Sequence, residues 1–334
     1  MTEKNYGGAA PFRKQIKEAK SSSSLEFSEK DKKQKKGLDE IDFDKQKILK
    51  AGHITSEIRE YVKEIVKKDM LLIDLAEKIE RRIIQLDGKP AFPVNLSIND
   101  VAAHYTPAFD DQTKAHGLLK VDFGVHIDGW IADTSLSFDL EGNDENKKLI
   151  LAAEKALDNA LKIVGEGKSI NEVGKEIQKT MESYKAFPIT NLTGHSISHY
   201  ELHAGFSVPN YNSGTREKFE EGIYAIEPFA TFGNGRIYDG KPSGIYELID
   251  EKNVRSPIAR KILDFVIDKY STLPFCSRWI VKEFGQGAMF GLKQLEDNGN
   301  LHQFSQLIEV SHRNVAQAEH TVIIEKGKVE VTTK

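Results

Sequence analysis

The sequence has little of several features that mark particular classes of protein. Its only cysteine is Cys276, which excludes an intrachain disulfide and a zinc or redox site built from paired cysteines. No segment approaches the ~20 consecutive apolar residues of a membrane-spanning helix. The formal net charge of -4 over 334 residues gives no strong field for nucleic acid or acidic lipid. These absences predict a soluble cytoplasmic protein with no membrane partner.

The first part of the chain, residues 1–40, is also poor in apolar residues with a regular period. It mixes Lys, Glu, Ser and Gly and includes a basic stretch from Lys32 to Lys36. Such a composition lacks the apolar surface that a packed core needs. We therefore predict a disordered or loosely helical charged tail that favours solubility, with transient contact between its basic stretch and the ribosome as the alternative role.

Apolar residues at helical spacing begin after the tail, in two pairs of helices that are each followed by strand-like sequence. The segments that carry this pattern are 54–65, 71–86, 149–164 (closed by Gly165) and the stretch after Ser169. Ser169 and Glu172 have the spacing of a capping box. Two similar helical units followed by strands predict an internally duplicated α+β fold.

The last third of the chain contains two further segments. Residues 256–313 carry apolar side chains among helix-forming residues and are interpreted as a mostly helical insertion. The segment from Ala318 to Thr333 is apolar on both sides of Lys326-Gly327, which predicts a closing hairpin.

A second hairpin, between Lys120 and Leu140, is the most informative segment. Asp128-Gly129 is typical of a two-residue turn. That turn predicts the cross-strand pairs Ile127–Trp130, Gly124–Asp133 and Asp122–Ser135. Asp122 and Asp133 then share one face as diagonal neighbours, ~7 to 8 Å apart. Inside a fold such a pair needs a proton, a basic side chain or a cation; on spacing alone, two acids on a solvated face remain the alternative.

Three further residues that can bind metal lie in apolar, strand-like sequence: His195, Glu227 and Glu319. Each alone is also typical of a hydrogen-bonded core residue or a strand edge. Together with the two aspartates they form four carboxylates and one imidazole, a ligand set for two divalent cations. Mn, Fe, Co and Zn all suit such ligands, and the ligand type does not choose among them.

These segments resemble the methionine aminopeptidases over about residues 45–334. The motifs that carry the resemblance are Phe92–Pro107, the aspartate hairpin, Gly194-His195-Ser196, His203-Ala204-Gly205 and Ala318-Glu319-His320-Thr321. The resemblance implies the pita-bread fold, with two related α+β halves around a curved antiparallel sheet, and a catalytic domain over residues 41–334. Glu227 and Glu319 lie 92 positions apart. A helical insertion in that gap implies the second type of the family.

The resemblance also implies a role for each site residue. Asp122 would bind one metal, His195 and Glu227 the other, and Asp133 and Glu319 both, with Glu227 also transferring protons. His104 and His203 would contact the scissile peptide, and Phe92 and Leu202 would line the methionine pocket. The implied reaction is removal of the initiator methionine from nascent polypeptides, preferably before a small second residue, by metal-activated water. We expect a monomer.

Two other family members are alternatives. Proline-directed peptidases share the ligand set but usually carry a folded N-terminal domain. The non-catalytic, proliferation-associated relatives bind RNA or protein and lack ligands that are present here. One departure from the methionine aminopeptidase pattern is Ser198 (followed by His199), where the family commonly has Gly; a positive φ there would cost stability.

Overall fold

The computed structural model describes residues 44–334. The predicted tail over residues 1–40, with its basic stretch, lies outside them. None of the helices in this part of the chain is both long and apolar enough to span a membrane. The helices are α1 (Lys45–Ile65), α2 (Leu72–Gln85), α3 (Asp144–Leu161), α4 (Ile170–Ser183), α5 (Pro257–Lys269), α6 (Ser277–Phe284) and α7 (Ala288–Asp297).

Sixteen strands alternate with these helices in the described residues. They are β1 (Lys89–Pro90), β2 (Asn95–Ile98), β3 (Val101–Ala103), β4 (Leu118–Ile127), β5 (Trp130–Asp139), β6 (Phe187–Pro188), β7 (Thr193–Ile197), β8 (Ser207–Pro209), β9 (Gly222–Ile226), β10 (Phe229–Thr231), β11 (Ile237–Leu248), β12 (Phe275–Cys276), β13 (Leu301–Glu309), β14 (Val315–Gln317), β15 (Glu319–Glu325) and β16 (Lys328–Val331).

The strands form one large sheet and two small ones. The large sheet has the order β1-β4-β5-β15-β9-β7-β8, with β2 also beside β4 and β16 beside β15. The small sheets have the orders β14-β10-β6 and β12-β11-β13-β3. The strand pairs of the large sheet are antiparallel. Strands β5 and β15, which lie far apart in the sequence, therefore pair in the middle of the large sheet.

Each predicted helix pair has its own apolar core. The first core, where α1 and α2 meet β4, includes Ile54, Ile58, Leu75, Ile79 and Val121. The second core, where α3 and α4 meet β9 and β15, includes Ala153, Leu157, Val173, Ile177 and Ile324. Burial of two separate amphipathic helix pairs explains why the same pattern occurs twice in the sequence, and the predicted α+β fold is confirmed.

Two details of the second helix pair differ from the prediction. Helix α3 ends at Leu161, before Gly165, with Lys162 as its C-cap. Ser169 is the N-cap of α4 but its side chain makes no capping hydrogen bond. The backbone N–H of Glu172 instead donates to the Ser169 carbonyl oxygen at 3.2 Å, so the predicted capping box is wrong in its side-chain contacts.

The segment 256–313 is helical only in its first two thirds. Helices α5 to α7 enclose an apolar core that includes Ile262, Val266, Phe275, Ile280 and Leu292. Strand β13 then returns to pair with β11 and β3. The mostly helical interpretation missed this strand because its apolar residues are separated by polar ones in an irregular order, whereas the pairing is made with strands far away in the sequence.

Both predicted hairpins are confirmed. Asp128 and Gly129 have φ values of 47° and 86°, as a two-residue turn with two left-handed positions requires. The register matches the prediction: Ile127 pairs with Trp130, Gly124 with Asp133 and Asp122 with Ser135. Strands β15 and β16 form the closing hairpin around Lys326 and Gly327.

Candidate metal centre

The five candidate metal ligands come from five adjacent strands of the large sheet. Each side chain is supplied by a different strand or by the residue after it: Asp122 by β4, Asp133 by β5, Glu319 by β15, Glu227 by the end of β9 and His195 by β7. Their order across the sheet is therefore not their order in the chain. Antiparallel pairing, with Glu319 opposite Ser135 and His195 opposite Ala225, brings them together.

The ligand atoms are close enough to share cations. One ligand atom from each of Asp133, His195 and Glu319 lies within 4.8 Å of the others. The Nε2 atom of His195 lies 3.5 Å from Oε1 of Glu227 and 3.8 Å from Oδ2 of Asp133. The imidazole therefore lies at the edge of the carboxylate group, within reach of two of its members.

Burial makes this group of acids difficult to ionise. Burial raises the pKa of Asp122 to about 7. Burial, and then repulsion from Asp122, raises the pKa of Asp133 well above its ordinary value. Glu227 and Glu319 shift in the same direction, first by burial and then by repulsion from Asp133. Four carboxylates so placed require protons or cations to balance their charge.

Three oxygen atoms in the cluster are buried without a hydrogen-bond partner: Oδ1 of Asp122, Oδ1 of Asp133 and Oε1 of Glu319. A buried acceptor with no donor is costly in a folded protein. Burial also lowers the pKa of His195 to about 4, so the imidazole is neutral and has a lone pair to offer. Unpaired carboxylate oxygens and a neutral imidazole are what divalent cations bind, so these residues fit a metal.

The backbone behind the cluster is held by two residues that sequence reasoning missed. Arg59, on α1, donates from Nη1 to the carbonyl oxygens of Ser135 (3.2 Å) and Glu319 (3.3 Å) and to Oγ1 of Thr134. Thr321 accepts a hydrogen bond from the N–H of Asp133 at 2.7 Å and donates to its carbonyl oxygen at 2.8 Å. These contacts fix β5 against β15, the strands of Asp133 and Glu319.

A third residue that sequence reasoning missed is Gln317, which touches the ligand side chains themselves. Its Nε2 donates to Oδ2 of Asp122 (3.3 Å), Oε2 of Glu227 (3.4 Å) and Oε2 of Glu319 (3.5 Å). Gln317 stands two positions before Glu319. Because alternate residues of extended chain face the same way, this spacing could have pointed to it.

The structure places His203 beside the cluster, and His104 lies close enough to His203 for its charge to act on that ring. The rings of His203 and His195 meet edge to face, with centroids 4.4 Å apart. Burial, followed by the charges of His195 and His104, lowers the pKa of His203 well below its ordinary value. His104 has a φ of 62°, and its Nδ1 lies 3.2 Å from the carbonyl oxygen of Ser305. Strand β13 therefore orients the His104 ring.

Phe92 and Leu202 lie in one apolar cluster with Trp130 and Ile197. The Phe92 ring packs on Gly124, where an added Cβ would come within 2.6 Å of Cε1. This cluster includes Trp130 and Ile131 of the hairpin that carries the two aspartates. The two predicted wall residues are thus neighbours in one apolar region.

The loop that departs from the family pattern is not strained at Ser198. The left-handed residue of that loop is Tyr200, with a φ of 56°. His199 lies on the surface, with Nε2 2.7 Å from the Asp128 carbonyl oxygen and its ring 4.8 Å from Trp130. The positive φ on which a cost of serine at position 198 depends is therefore absent, and His199 contacts the hairpin turn rather than the carboxylate cluster.

A site of this kind, with carboxylate oxygens and an imidazole converging from adjacent strands, belongs to the class that binds divalent cations. Residues 46–326 match the model of metallopeptidase family M24. The chain therefore belongs to metallopeptidase family M24, and divalent metal is part of its chemistry.

Sequence relatives and solved structures agree with this membership. The chain is similar to the methionine aminopeptidase of Thermococcus onnurineus, with 44% identity covering 87% of this chain and 99% of that protein. It is 41% identical to the methionine aminopeptidase of Methanocaldococcus jannaschii, covering 86% and 98% respectively.

Among solved structures, a thermophilic Arx1 has a TM-score of 0.74 at 16% identity, covering 86% of this chain and 90% of that chain. The methionine aminopeptidase of Thermotoga maritima has a TM-score of 0.63 at 21% identity, covering 86% and 96%. Prolidase from Pyrococcus furiosus has a TM-score of 0.53 at 13% identity, covering 86% and 63%. At these identities the likenesses describe the fold, which is the pita-bread fold.

Proposed function

We propose that the protein is a type-2 methionyl aminopeptidase that removes the N-terminal methionine from nascent polypeptides. The observation that carries the proposal is the complete set of five ligand side chains on adjacent strands, with three buried carboxylate oxygens left unpaired. The similarity to methionine aminopeptidases over most of the chain supports the choice of substrate.

The five residues would hold two divalent cations, which could be Mn, Fe, Co or Zn. Asp122 would hold one cation, His195 and Glu227 the other, and Asp133 and Glu319 would contact both. When bound, the cations polarise the scissile carbonyl and acidify the attacking water. Ligands of oxygen and nitrogen without a thiolate suit all four metals.

Glu227 moves the proton that the reaction releases. Its Oε2 accepts from Gln317 and its Oε1 faces His195 at 3.5 Å, so one oxygen is held while the other faces the centre. The carboxylate takes a proton from the attacking water and returns it to the amine of the leaving peptide.

His104 and His203 bind the scissile peptide. Because the Ser305 carbonyl oxygen can only accept, Nδ1 of His104 carries the hydrogen, which leaves Nε2 as an acceptor for the amide N–H of the second residue. His203 stays neutral at the working pH since burial depresses its pKa. It donates an N–H to the carbonyl oxygen as negative charge develops there.

Phe92 and Leu202 form walls of an apolar pocket for the methionine side chain. A flexible, polarisable thioether suits such a pocket. The proposed reaction is preferred before a small second residue in the substrate, as the resemblance to the methionine aminopeptidases implies. The segment 256–313 is the type-2 insertion. The protein acts as a cytoplasmic monomer, and the charged tail favours solubility, with transient ribosome contact through its basic stretch as the alternative role.

The test is methionine release from Met-Ala-Ser by metal-reconstituted protein, with chelator-treated protein and Xaa-Pro peptides alongside. We expect metal-dependent release of methionine and no cleavage of Xaa-Pro peptides. Cleavage of the Xaa-Pro peptides instead would indicate a proline-directed peptidase. Inactivity together with failure to bind metal would indicate a non-catalytic member of the family.

A further inference from the structure

Gln317 lies at the centre of the carboxylate cluster, although an amide is a poor metal ligand compared with the acids around it. Its side chain is 1% exposed. Its backbone is fixed in both directions by Ser137, whose Oγ accepts from the Gln317 N–H at 2.9 Å and donates to its carbonyl oxygen at 2.7 Å. The side chain therefore projects into the cluster from a rigid base.

One amide nitrogen serves three carboxylates that come from three different strands. The distances from Nε2 are 3.3 Å to Asp122, 3.4 Å to Glu227 and 3.5 Å to Glu319. An amide carries two N–H hydrogens, so the three acceptors share them. Once the carboxylates are ionised, the opposite orientation of the amide would place its carbonyl oxygen among three anions, which electrostatic repulsion disfavours.

The contacts divide each carboxylate into a held oxygen and a free one. In Asp122 and Glu319, Gln317 contacts one oxygen, and the other is buried and unpaired. In Glu227, the second oxygen is the one 3.5 Å from Nε2 of His195. A neutral donor can orient the carboxylates in this way without replacing a cation, whereas a lysine or arginine would balance the negative charge that the metal needs.

We propose that Gln317 is a positioning residue of the metal centre: its amide nitrogen holds one oxygen of each of three ligand carboxylates and leaves the other free for a cation. The proposal rests on the metal centre assigned above. It predicts that loss of the donor weakens metal binding by ~10 to 100-fold, the effect that partners of metal ligands typically have.

The experiment compares Mn²⁺ binding by calorimetry in chelator-treated wild type, Gln317→Met and Gln317→Asn. Met keeps the length of the side chain but removes the donor, and Asn keeps the amide but withdraws it from the carboxylates. We expect both variants to bind Mn²⁺ more weakly and to lower kcat with the KM for Met-Ala-Ser unchanged. Gln294→Met, on α7 and partly buried, is the control and should bind Mn²⁺ as wild type does.

Unchanged Mn²⁺ affinity in Gln317→Met would overturn the proposal, because the side chain would then only fill space. If that variant does not fold, Gln317→Asn decides: weaker Mn²⁺ binding at unchanged thermal stability supports the proposal, and unchanged binding overturns it. Failure of the proposed function would look different. The Mn²⁺-loaded wild type would release no methionine, while the Mn²⁺ affinities would still separate the variants.

Discussion

The carboxylate of Glu80 and the carboxylates around Asp133 are both buried, yet their surroundings differ. Glu80 accepts two hydrogen bonds from Arg278, at 2.7 and 2.8 Å, and a third from the indole of Trp279 at 3.0 Å. Arg278 also donates to the Pro107 carbonyl oxygen at 3.1 Å. This group joins α2, α6 and the loop after His104, and each charge has its partner within the protein.

The cluster around Asp133 has no such internal balance. It combines four acids with one neutral imidazole, and Arg59 donates to the backbone and to the Thr134 hydroxyl behind it. Three of its carboxylate oxygens lack donors. A buried charge that is fully paired holds elements together, whereas a buried cluster with unpaired acceptors is completed from outside. The presence of a hydrogen-bond donor for each buried carboxylate oxygen, more than the depth of burial, therefore separates the Glu80–Arg278 group from the metal centre.

The largest effect that would test this comparison is expected from Asp133→Ala. Removal of a bridging ligand should lower kcat/KM for Met-Ala-Ser by more than the ~100-fold that loss of a ligand's partner typically costs. The metal-free protein should remain folded, because one of several repelling anions is removed. Steady-state kinetics, metal analysis and thermal unfolding measure these three properties. Full activity with full metal content would show that Asp133 is not a ligand.

At the Glu80–Arg278 group, Glu80→Gln should have the opposite effect: it should lower stability and leave metal binding unchanged. The substitution leaves the Arg278 charge buried without its carboxylate, which typically costs about 3–5 kcal/mol in the free energy of unfolding. Mn²⁺ affinity should not change. Denaturant titration and calorimetry separate the two effects.

The matched control for that change is Glu77→Gln, on the same helix. The Glu77 side chain is 35% exposed, and its nearest cations, on Arg81 and Lys282, lie 3.9 and 4.0 Å away. The control should cost below ~1 kcal/mol. An equal loss of unfolding free energy in the two variants would mean that the buried Glu80–Arg278 pair stabilises the fold no more than the exposed contacts of Glu77.

The sequence predicted one of these groups and not the other, for a physical reason. The aspartate hairpin follows local rules: Asp128-Gly129 selects the turn, the turn sets the register, and the register brings Asp122 near Asp133. The Glu80–Arg278 pair joins positions 198 residues apart. No local pattern relates two such residues, because their contact depends on how the helical segment packs.

The same limit applies inside the metal centre. The sequence predicts His195, Glu227 and Glu319 from their place in apolar, strand-like segments and from the family resemblance. The contacts of Gln317 and Arg59, in contrast, depend on strands that meet only in the folded sheet. Strand β13 was missed for this reason too. At Ser198 the sequence left the backbone conformation open, and the left-handed position of the loop belongs to Tyr200. A residue type indicates which backbone conformations are permitted, but it does not show which position of a loop adopts the left-handed one.

The third effect that tests the comparison should appear as a pH dependence in metal-free Asp122→Asn. Burial raises the pKa of Asp122 from 3.8 to about 7, so the folded wild type keeps a proton that the unfolded chain has already released between these values. The wild type therefore loses stability from this group as the pH rises from about 4 to about 7. Asparagine does not titrate and escapes the loss.

The free energy of unfolding of Asp122→Asn should thus increase relative to wild type across that pH range and level off above it, by roughly 1.4 kcal/mol for each unit of pKa shift. Denaturant titrations at several pH values, with chelator present, measure the difference. Asp268→Asn, at a side chain 77% exposed, should show no such trend. A flat difference for Asp122→Asn as well would mean that a donor within the protein already balances this carboxylate, and the contrast with Glu80 would fail at this residue.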